Sequence, residues 1–338
     1  MRTICAVVRR PEERERELRA LFAPIDGELE ATSVGLEQEL DAASERFQAP
    51  VAQAKCYRGK RLRAATLLLM GGASGRLTPA HVQVASIVEL IHLSTLVHDD
   101  VLDRARLRRG VATPNARFGN AIAVRLGDWL YALAFEMSTA LESPLCSRVL
   151  TATTATICRG EIEQTRAKFD FTLSEARYLD IIDAKTASLY AASCELGARY
   201  AGADEATARA AERFGRCVGL AFQIVDDCLD FDGSEEALGK PLGSDVVEGK
   251  VTLPIIHLLA RSDASRRRRV EEIFRAPGEF DRVGALQVEF DLAEALAASY
   301  AHAEGHLNAA LDTIAPFAPS RWRDGLVAVA EYVLRRRW

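Results

Sequence analysis

Apolar residues recur at spacings of three and four along most of the chain, in long blocks dominated by Ala, Leu, Glu and Arg. This period is typical of amphipathic helices, and the strict alternation of strands is almost absent. Breakers separate the blocks, among them Pro50, Gly71-Gly72, Pro144 and Pro277-Gly278. The pattern predicts about ten to twelve helices. Because no polar linker is long enough to divide them, we expect one all-α domain over residues 1–338, with its core at about 25–335.

Three helix starts can be predicted from capping residues. Thr78-Pro79 and Ser143-Pro144 each place a hydroxyl before a proline at the first helical position. Thr172-Leu173-Ser174-Glu175 has the spacing of a capping box, which predicts Thr172 as the N-cap.

Two aspartate triplets with identical spacing stand inside apolar runs, Asp99-Asp100-Val101-Leu102-Asp103 and Asp226-Asp227-Cys228-Leu229-Asp230. Carboxylates are rarely buried unless they are paired or bind a cation. On a helix, Asp99 and Asp103 share one face, and His92 falls close to it. Gln223 and the second triplet form a similar stripe. If the two helices face each other, both carboxylate clusters point into one cavity.

Oxygen ligands without a matching His/Cys set select a hard cation, and Mg²⁺ is the expected ion. Magnesium is usually held by a few carboxylates together with substrate phosphates, so the sequence predicts a phosphorylated ligand. Side chains that could bind its phosphates lie at residues 59–63, at Arg108-Arg109, and at Lys185, Lys240 and Lys250.

The alternative is that each acid pair is a solvated helix end. Two copies with equal spacing, in apolar surroundings and each followed by a basic loop, argue against this alternative. Taken alone, Lys185 or His92 would more often be structural, and both gain weight only from the residues around them.

Composition narrows the function classes. Hydrophobic residues make up 49% of the 338, and the net charge of −5 offers no overall basic field to nucleic acid. We interpret the arginine runs 266–269 and 335–337 as solvated helix faces or ends. Seven scattered cysteines without a Cys-x-x-Cys pair fit a reduced cytoplasmic protein better than disulfides or a zinc site. No apolar run reaches the length of a signal-peptide core or the ~18 residues of a membrane span.

In these motifs the chain resembles the trans-isoprenyl diphosphate synthases, or polyprenyl synthetases, and in particular long-chain members such as octaprenyl diphosphate synthases. The matching stretches occur in the family's order, at residues 59–63, 89–110, 127–128, 160–161, 185–187, 222–230 and 239–254. The family often has Gly-Gly-Lys-Arg-x-Arg-Pro, in which Arg58 here replaces the first glycine and Ala64 the proline. The phosphate-binding side chains of that motif are kept.

The resemblance implies an isoprenoid synthase helical bundle around a central cavity, usually a homodimer. The implied reaction is the Mg²⁺-dependent head-to-tail condensation of isopentenyl diphosphate with an allylic diphosphate. Three Mg²⁺ ions are implied on Asp99, Asp103 and Asp226, supported by Asp100, Asp227 and Asp230. The implied allylic diphosphate contacts are Arg108, Lys185, Lys240 and Lys250. The implied isopentenyl diphosphate contacts are Gly59, Lys60, Arg63, His92 and Arg109. Thr186 and Gln223 are implied beside the forming carbocation.

Ionisation of the allylic C–O bond needs stabilisation of the leaving diphosphate and no protein nucleophile, and the sequence offers no Ser/His/Asp set. Water must be excluded from the cation, and the glycine-rich stretch 233–249 is a candidate lid.

Product length depends on the residues just before the first triplet. In the family, aromatic residues there block the product tunnel, whereas this chain has Ser94 and Thr95. We therefore expect a long product, C35 to C50, with C20 or C15 as the alternative. Phe135 is a candidate tunnel floor, together with Tyr131 and Met137, although an aromatic residue at this depth is often ordinary core.

Two rival functions remain open. A class I terpene cyclase shares the fold, but it typically has a different second metal motif and lacks the 59–63 site. A non-catalytic subunit of a heteromeric synthase usually loses aspartates, and this chain keeps all six. A membrane span is not expected, although a greasy product could require peripheral membrane contact.

Overall fold

The computed structural model describes residues 20–42, 47–57, 59–233, 242–278 and 280–336. Over these residues the chain is helical apart from one two-stranded hairpin, which confirms the all-α class. The described residues form more helices than predicted, because several are single short turns that hydrophobic periodicity does not reveal. The α-helices are α1 Asp26–Asp41, α2 Gln48–Lys55, α3 Leu62–Ser74, α4 Pro79–Leu102, α5 Pro114–Phe118, α6 Asn120–Thr139, α7 Leu145–Arg166, α8 Glu175–Ile182, α9 Ser188–Tyr200, α10 Glu205–Asp232, α11 Ser244–Val247, α12 Leu253–Ala260, α13 Ala264–Phe274, α14 Arg282–Glu289, α15 Ala293–Ile314 and α16 Arg321–Arg335. The strands are β1 Leu107–Arg108 and β2 Val111–Ala112, and Asp183–Ala187 is a π-helical turn.

One of the three predicted caps is confirmed. Thr78 caps α4 in a reciprocal box with His81. The Ser143 prediction is wrong, because Pro144 takes the N-cap position and α7 begins at Leu145.

The third cap lies two residues further along the chain than predicted. Asp170 holds both the amide and the hydroxyl of Thr172 through Oδ1, at 3.0 and 2.6 Å. The N-cap is therefore Ser174, whose hydroxyl accepts a bond from the Arg177 amide at 3.3 Å.

Helix α10 runs through the core and is packed on one side against α9 and the π-helical turn. Two of its glycines permit this contact. A Cβ at Gly215 would lie 2.3 Å from the Tyr190 carbonyl oxygen, and one at Gly219 would lie 2.6 Å from the Ala187 Cα. Because the backbones touch, the turn that carries Lys185 is held at a fixed distance from the second aspartate triplet.

Buried apolar side chains from Leu21 to Val333 form one cluster. Helix α4 is the one described helix that is long and apolar enough to cross a membrane, and 56% of its apolar window is buried inside the protein. The apolar side chains of α4 therefore pack, at least in part, in the core of the protein.

The hairpin follows the first triplet and presents two arginines. Arg108 pairs with Val111, and the turn between them has positive φ at both residues, 51° at Arg109 and 77° at Gly110. Two-residue turns of this kind match the twist of paired strands, and glycine favours the second position. The rigid turn therefore directs Arg108 and Arg109 to different positions.

Candidate active site

A cavity of about 880 Å³ lies between the ends of α4 and α10, and Asp99, Asp103 and Asp226 all line it. The two triplets therefore meet at one cavity, as predicted, but the second triplet contributes only Asp226 to its lining. Lys185 and Lys250 line it as well, as do all five residues predicted to bind isopentenyl diphosphate. Lys240 and Arg58 lie outside the described residues, as does the 234–241 part of the candidate lid.

Three lysines surround the first triplet. Lys185 Nζ is 3.8 Å from Asp99 Oδ2, Lys250 Nζ is 3.4 Å from Asp103 Oδ2, and Lys168 Nζ is 3.9 Å from Asp103 Oδ1. Burial raises the pKa of Asp103, but the positive charge of Lys250, a hydrogen bond from Glu248 and the other lysines outweigh it and hold that pKa below its usual value. Asp103 is therefore ionised at neutral pH, as a cation ligand must be.

Two glutamates accompany these lysines. Lys185 Nζ is 2.6 Å from Glu161 Oε1, and Lys250 Nζ is 2.5 Å from Glu248 Oε2. Burial, together with the charges of Asp99 and Asp103 respectively, raises the pKa of each glutamate to about 7. Sequence reasoning gave neither residue a role. The only available signal for Glu161 was its place in the Gly160-Glu161 stretch of the resemblance.

The other three aspartates have partners of their own. Asp100 is fully buried; its carboxylate accepts bonds from the Tyr57 hydroxyl and from Arg108 Nε at 2.9 Å. Asp230 Oδ1 accepts from the Ser244 hydroxyl and its Oδ2 from the Asp245 amide, both at 3.0 Å. Asp227 accepts from Tyr178 and Gln223.

These contacts qualify the prediction that all six carboxylates are metal ligands. Asp227 and Asp230 are not among the residues that line the cavity, and both oxygens of Asp100 are already engaged on its wall. Helical spacing placed the triplets at the right ends of the right helices. It did not reveal that one aspartate of the first triplet and two of the second would be held by neighbouring elements.

A chain of hydrogen bonds orients Thr186 and Gln223. The Thr186 hydroxyl donates to Gln223 Oε1 at 2.9 Å, and Gln223 Nε2 donates to Asp227 Oδ1 at 2.7 Å. The Tyr178 hydroxyl donates to the second oxygen of Asp227 at 2.6 Å. Because the Thr186 hydroxyl donates its hydrogen to Gln223, the lone pairs of the Thr186 oxygen remain available to a ligand in the cavity.

The basic side of the cavity is built around Arg63. Its Nη1 lies 3.0 Å from His92 Nε2, and its guanidinium lies 4.5 Å from the centre of the Tyr190 ring. Burial, and then the charges of Arg63 and Arg109, lower the pKa of His92 well below its usual value. His92 is therefore neutral, and its Nε2 accepts the bond from Arg63.

Glycine at position 59 makes room for Arg109. A Cβ there would lie 3.0 Å from Arg109 Nη1, which itself donates to the Tyr57 carbonyl at 2.8 Å. The predicted proximity of Gly59 and Arg109 is therefore a direct packing contact.

One arginine in the cavity was missed. Arg336 Nη2 donates to Asp226 Oδ1 at 2.9 Å, and its guanidinium lies 4.0 Å from the centre of the Phe222 ring. Its side chain is only 10% exposed, so the interpretation of the run 335–337 as solvated is wrong for this residue. Only the packing of α16 against the core brings it to the cavity, and local sequence carries no signal of that.

Some of the residues predicted to set product length line the cavity, and others lie in the helices beside it. Thr95 lines the cavity, whereas Ser94 is fully buried and donates to the Gly127 carbonyl at 2.8 Å. Burial, with the charges of Cys158 and Asp99, raises the pKa of Tyr131, which also shares a hydrogen bond with Ser94. The Tyr131 ring stacks on Phe135 one turn along, with 6.5 Å between ring centres.

Residues 44–287 match the family model for polyprenyl synthetase. Heptaprenyl diphosphate synthase component 2 of Geobacillus stearothermophilus is 37% identical over 329 residues, covering 95% of this chain and 99% of the relative. A geranylgeranyl diphosphate synthase of Methanosarcina mazei is 40% identical over 204 residues, covering 59% of this chain and 63% of the relative.

Solved structures of polyprenyl synthases have a fold similar to that of this chain. The decaprenyl diphosphate synthase from Rhodobacter capsulatus superposes with a TM-score of 0.87 at 31% identity, covering 94% of this chain and 99% of that one. The polyprenyl synthase from Caulobacter crescentus CB15, complexed with calcium and isoprenyl diphosphate, has a TM-score of 0.85 at 35% identity, covering 96% and 98%.

Proposed function

This chain belongs to the polyprenyl synthetase family, and on that premise we propose that it is a Mg²⁺-dependent trans-polyprenyl diphosphate synthase. It condenses isopentenyl diphosphate head-to-tail with an allylic diphosphate. The observation that carries the proposal is the single cavity that joins Asp99, Asp103 and Asp226 to a lysine side and an arginine side.

The residues present fit magnesium. Asp99, Asp103 and Asp226 offer only carboxylate oxygens to the cavity, and this is the donor set that Mg²⁺ prefers, with phosphate oxygens completing its coordination. When bound there, Mg²⁺ supplies positive charge against the diphosphate oxygens. The number of ions, three by resemblance, is part of the proposal.

The lysine side binds the allylic diphosphate. Lys185 and Lys250 stand beside the aspartates, and Lys168 adds a third ammonium group that sequence reasoning did not select. As the allylic C–O bond breaks, its electron pair goes to the diphosphate, and these fixed cations stabilise the charge without reorganising. Arg108, held by Asp100, and Lys240 complete the proposed set.

The arginine side binds isopentenyl diphosphate through Arg63 and Arg109, with Lys60, Gly59 and neutral His92 beside them. The double bond attacks the allylic cation and a new C–C bond forms. A proton then leaves to an oxygen of the departed diphosphate. The oriented oxygens of Thr186 and Gln223 stabilise the positive charge during this step.

We propose a long product, C35 to C50. The small Thr95 lines the cavity where the resemblance puts the start of the product tunnel, and the small Ser94 is buried behind it. Tyr131 and Phe135, stacked on each other in α6, are our candidates for the floor of that tunnel. A shorter product, C20 or C15, is the alternative if Tyr131 itself closes the tunnel.

A heteromeric enzyme is the second candidate, because a similar relative is named as component 2 of a heptaprenyl diphosphate synthase. In that case the chain would act only together with another chain. The homodimer that the resemblance implies is our first proposal, and such an interface could cover the exposed Ile122 and Val124 on α6, which have 43% and 39% of their surface accessible. Cytoplasmic location and the single-domain organisation belong to the proposal as well.

One experiment separates the candidates. The purified chain is incubated with Mg²⁺, isopentenyl diphosphate and farnesyl diphosphate, and the extracted products are identified by mass. A C35 to C50 diphosphate supports the proposal. A cyclic hydrocarbon indicates a terpene cyclase, and no product without a second chain indicates a heteromeric synthase.

A further inference from the structure

A cluster of three potential metal ligands lies outside the cavity, where three helices meet. Glu175 opens α8, His257 stands in the last turn of α12, and His302 lies in α15. One ligand atom from each lies within 4.8 Å of the others. His302 Nδ1 is 3.4 Å from Glu175 Oε1, and His257 Nε2 is 3.9 Å from Glu175 Oε2.

The two histidines approach different oxygens of Glu175, and one ligand atom from each residue lies within 4.8 Å of the others, so a tetrahedral zinc site requires a modest contraction of the cluster. With Zn–N and Zn–O distances of about 2.0–2.2 Å, neighbouring ligand atoms in a tetrahedron are about 3.4 Å apart. The imidazole rings are 5.4 Å apart between centres and inclined by 52°, so their nitrogens can point to one position. Small side-chain rotations would bring all three ligands to bonding distance.

The His257 nitrogen gives an independent indication. Its Nε2 is buried, and it has no hydrogen-bond partner in the part of the chain that the structure describes. Buried polar nitrogens normally find a partner, so such an atom needs an explanation.

We propose that Glu175, His257 and His302 bind one divalent transition-metal ion, for which Zn²⁺ is the best match. Imidazole selects zinc, copper or nickel over magnesium, so the ligands distinguish this site from the carboxylates of the cavity. Three protein ligands leave one position for water, and the partial exposure of His302 and Glu175, 37% and 39%, gives the ion access. Scattered cysteines indicated no zinc site, and these residues are too far apart in sequence to form a recognisable motif.

The ion would join α8 to α12 and α15. Helix α8 continues directly into the π-helical turn Asp183–Ala187, so the ion would brace the element that precedes Lys185. We therefore expect its main effect on thermal stability, with prenyl transfer retained in the absence of zinc.

Calorimetric titration tests the site. The chelator-treated protein is titrated with Zn²⁺ in saturating Mg²⁺, which occupies the carboxylates of the cavity. We expect one Zn²⁺ per chain, and a melting temperature raised by roughly 3–6 °C at 100 times the dissociation constant. His302→Ala and Glu175→Gln should each weaken Zn²⁺ binding at least about 10-fold. Glu304→Gln, an exposed change on the same helix as His302, should leave binding unchanged.

Turnover with Mg²⁺ and the zinc-free melting temperature show that each variant is folded. Failure of wild-type protein to bind Zn²⁺ under these conditions would overturn the proposal. Unchanged Zn²⁺ binding by the folded His257→Ala/His302→Ala variant would overturn it too. Either result would leave the proposed prenyl transfer unaffected, because that activity is measured without zinc.

Discussion

The aspartates of the two triplets have the same spacing in the sequence but different hydrogen-bond and ion-pair partners in the structure. Asp99 and Asp103 face lysines across the cavity, whereas Asp100 and Asp227 accept hydrogen bonds from tyrosines and Asp230 holds the start of α11. Carboxylates that face a cation site must stay ionised, while those that position other groups can tolerate partial protonation. The same residue type therefore serves two purposes within a span of five positions.

The pH dependence of stability should reveal the second purpose. Burial, and next the charge of Asp245, raises the pKa of Asp227 to about 8. In the unfolded chain its pKa is about 3.9, so the folded state holds the proton between these values and loses stability as pH rises through this window. Asp227→Asn keeps the shape without the charge and should flatten the fall in unfolding free energy between about pH 5 and pH 8. Denaturant unfolding at several pH values measures the unfolding free energy of the wild type and of Asp227→Asn. Parallel pH profiles for the two proteins would contradict the raised pKa of Asp227.

We also expect single side chains to set the depth of the proposed product tunnel. If Phe135 forms the floor, Phe135→Ala should shift the product distribution to longer chains, because the ring no longer blocks growth. Glu136→Ala, an exposed change at the neighbouring position of the same helix, is the matched control. Products are separated by reversed-phase chromatography. An unchanged distribution would exclude Phe135 as the floor and favour Tyr131.

At the level of elements, the site depends on close approach of helices. The π-helical turn carries Lys185 and Thr186, and such turns interrupt the regular helix, often at functional sites. Helix α7 reaches this turn only because position 160 is glycine, where a Cβ would lie 2.6 Å from the Lys185 amide nitrogen. The sequence showed the lysine and the glycine, but helical periodicity could not show a widened turn or its neighbour.

Gly160→Ala should therefore displace the turn. We expect a loss of about 1–3 kcal/mol in unfolding free energy from overpacking. We also expect a higher KM for the allylic diphosphate, since Lys185 moves. Gly305→Ala is the control, because nothing lies within 4 Å of its Cβ and alanine favours the helix by ~1 kcal/mol. Equal effects of the two changes would show that the contact with the turn is unimportant.

For the whole molecule, the sequence predicted the features that repeat along the chain. It did not predict the contacts that form only when distant segments pack together. Helical periodicity predicted the all-α class, and the matched triplets predicted one cavity between two helices. The position of Arg336 beside Asp226 could not be predicted, because it depends on α16 packing back over the core from the end of the chain. The lysine–glutamate pairs around Lys185 and Lys250 depend likewise on contacts between distant segments.

Arg336 and Mg²⁺ should compete for Asp226. In Arg336→Gln the Asp226 carboxylate loses the positive charge of Arg336, so the Mg²⁺ concentration for half-maximal activity should fall a few-fold, a modest effect because Asp226 is 31% exposed. Arg321→Gln is the control, since Arg321 is exposed at the start of α16 and is not among the residues that line the cavity. An unchanged or higher Mg²⁺ requirement in Arg336→Gln would assign Arg336 to substrate binding alone.

The central claim is that Asp99 and Asp103 hold the cations on which ionisation of the allylic diphosphate depends. Turnover of Asp99→Ala and Asp103→Ala, measured with farnesyl diphosphate, isopentenyl diphosphate and saturating Mg²⁺, tests it most directly. Asp312→Ala, an exposed change on α15, is the control and should retain full turnover. We predict that each cavity variant loses at least ~10³-fold in turnover while remaining folded, since one such electrostatic partner is worth ~3–4 kcal/mol. Near-normal turnover in either folded variant would contradict the mechanism.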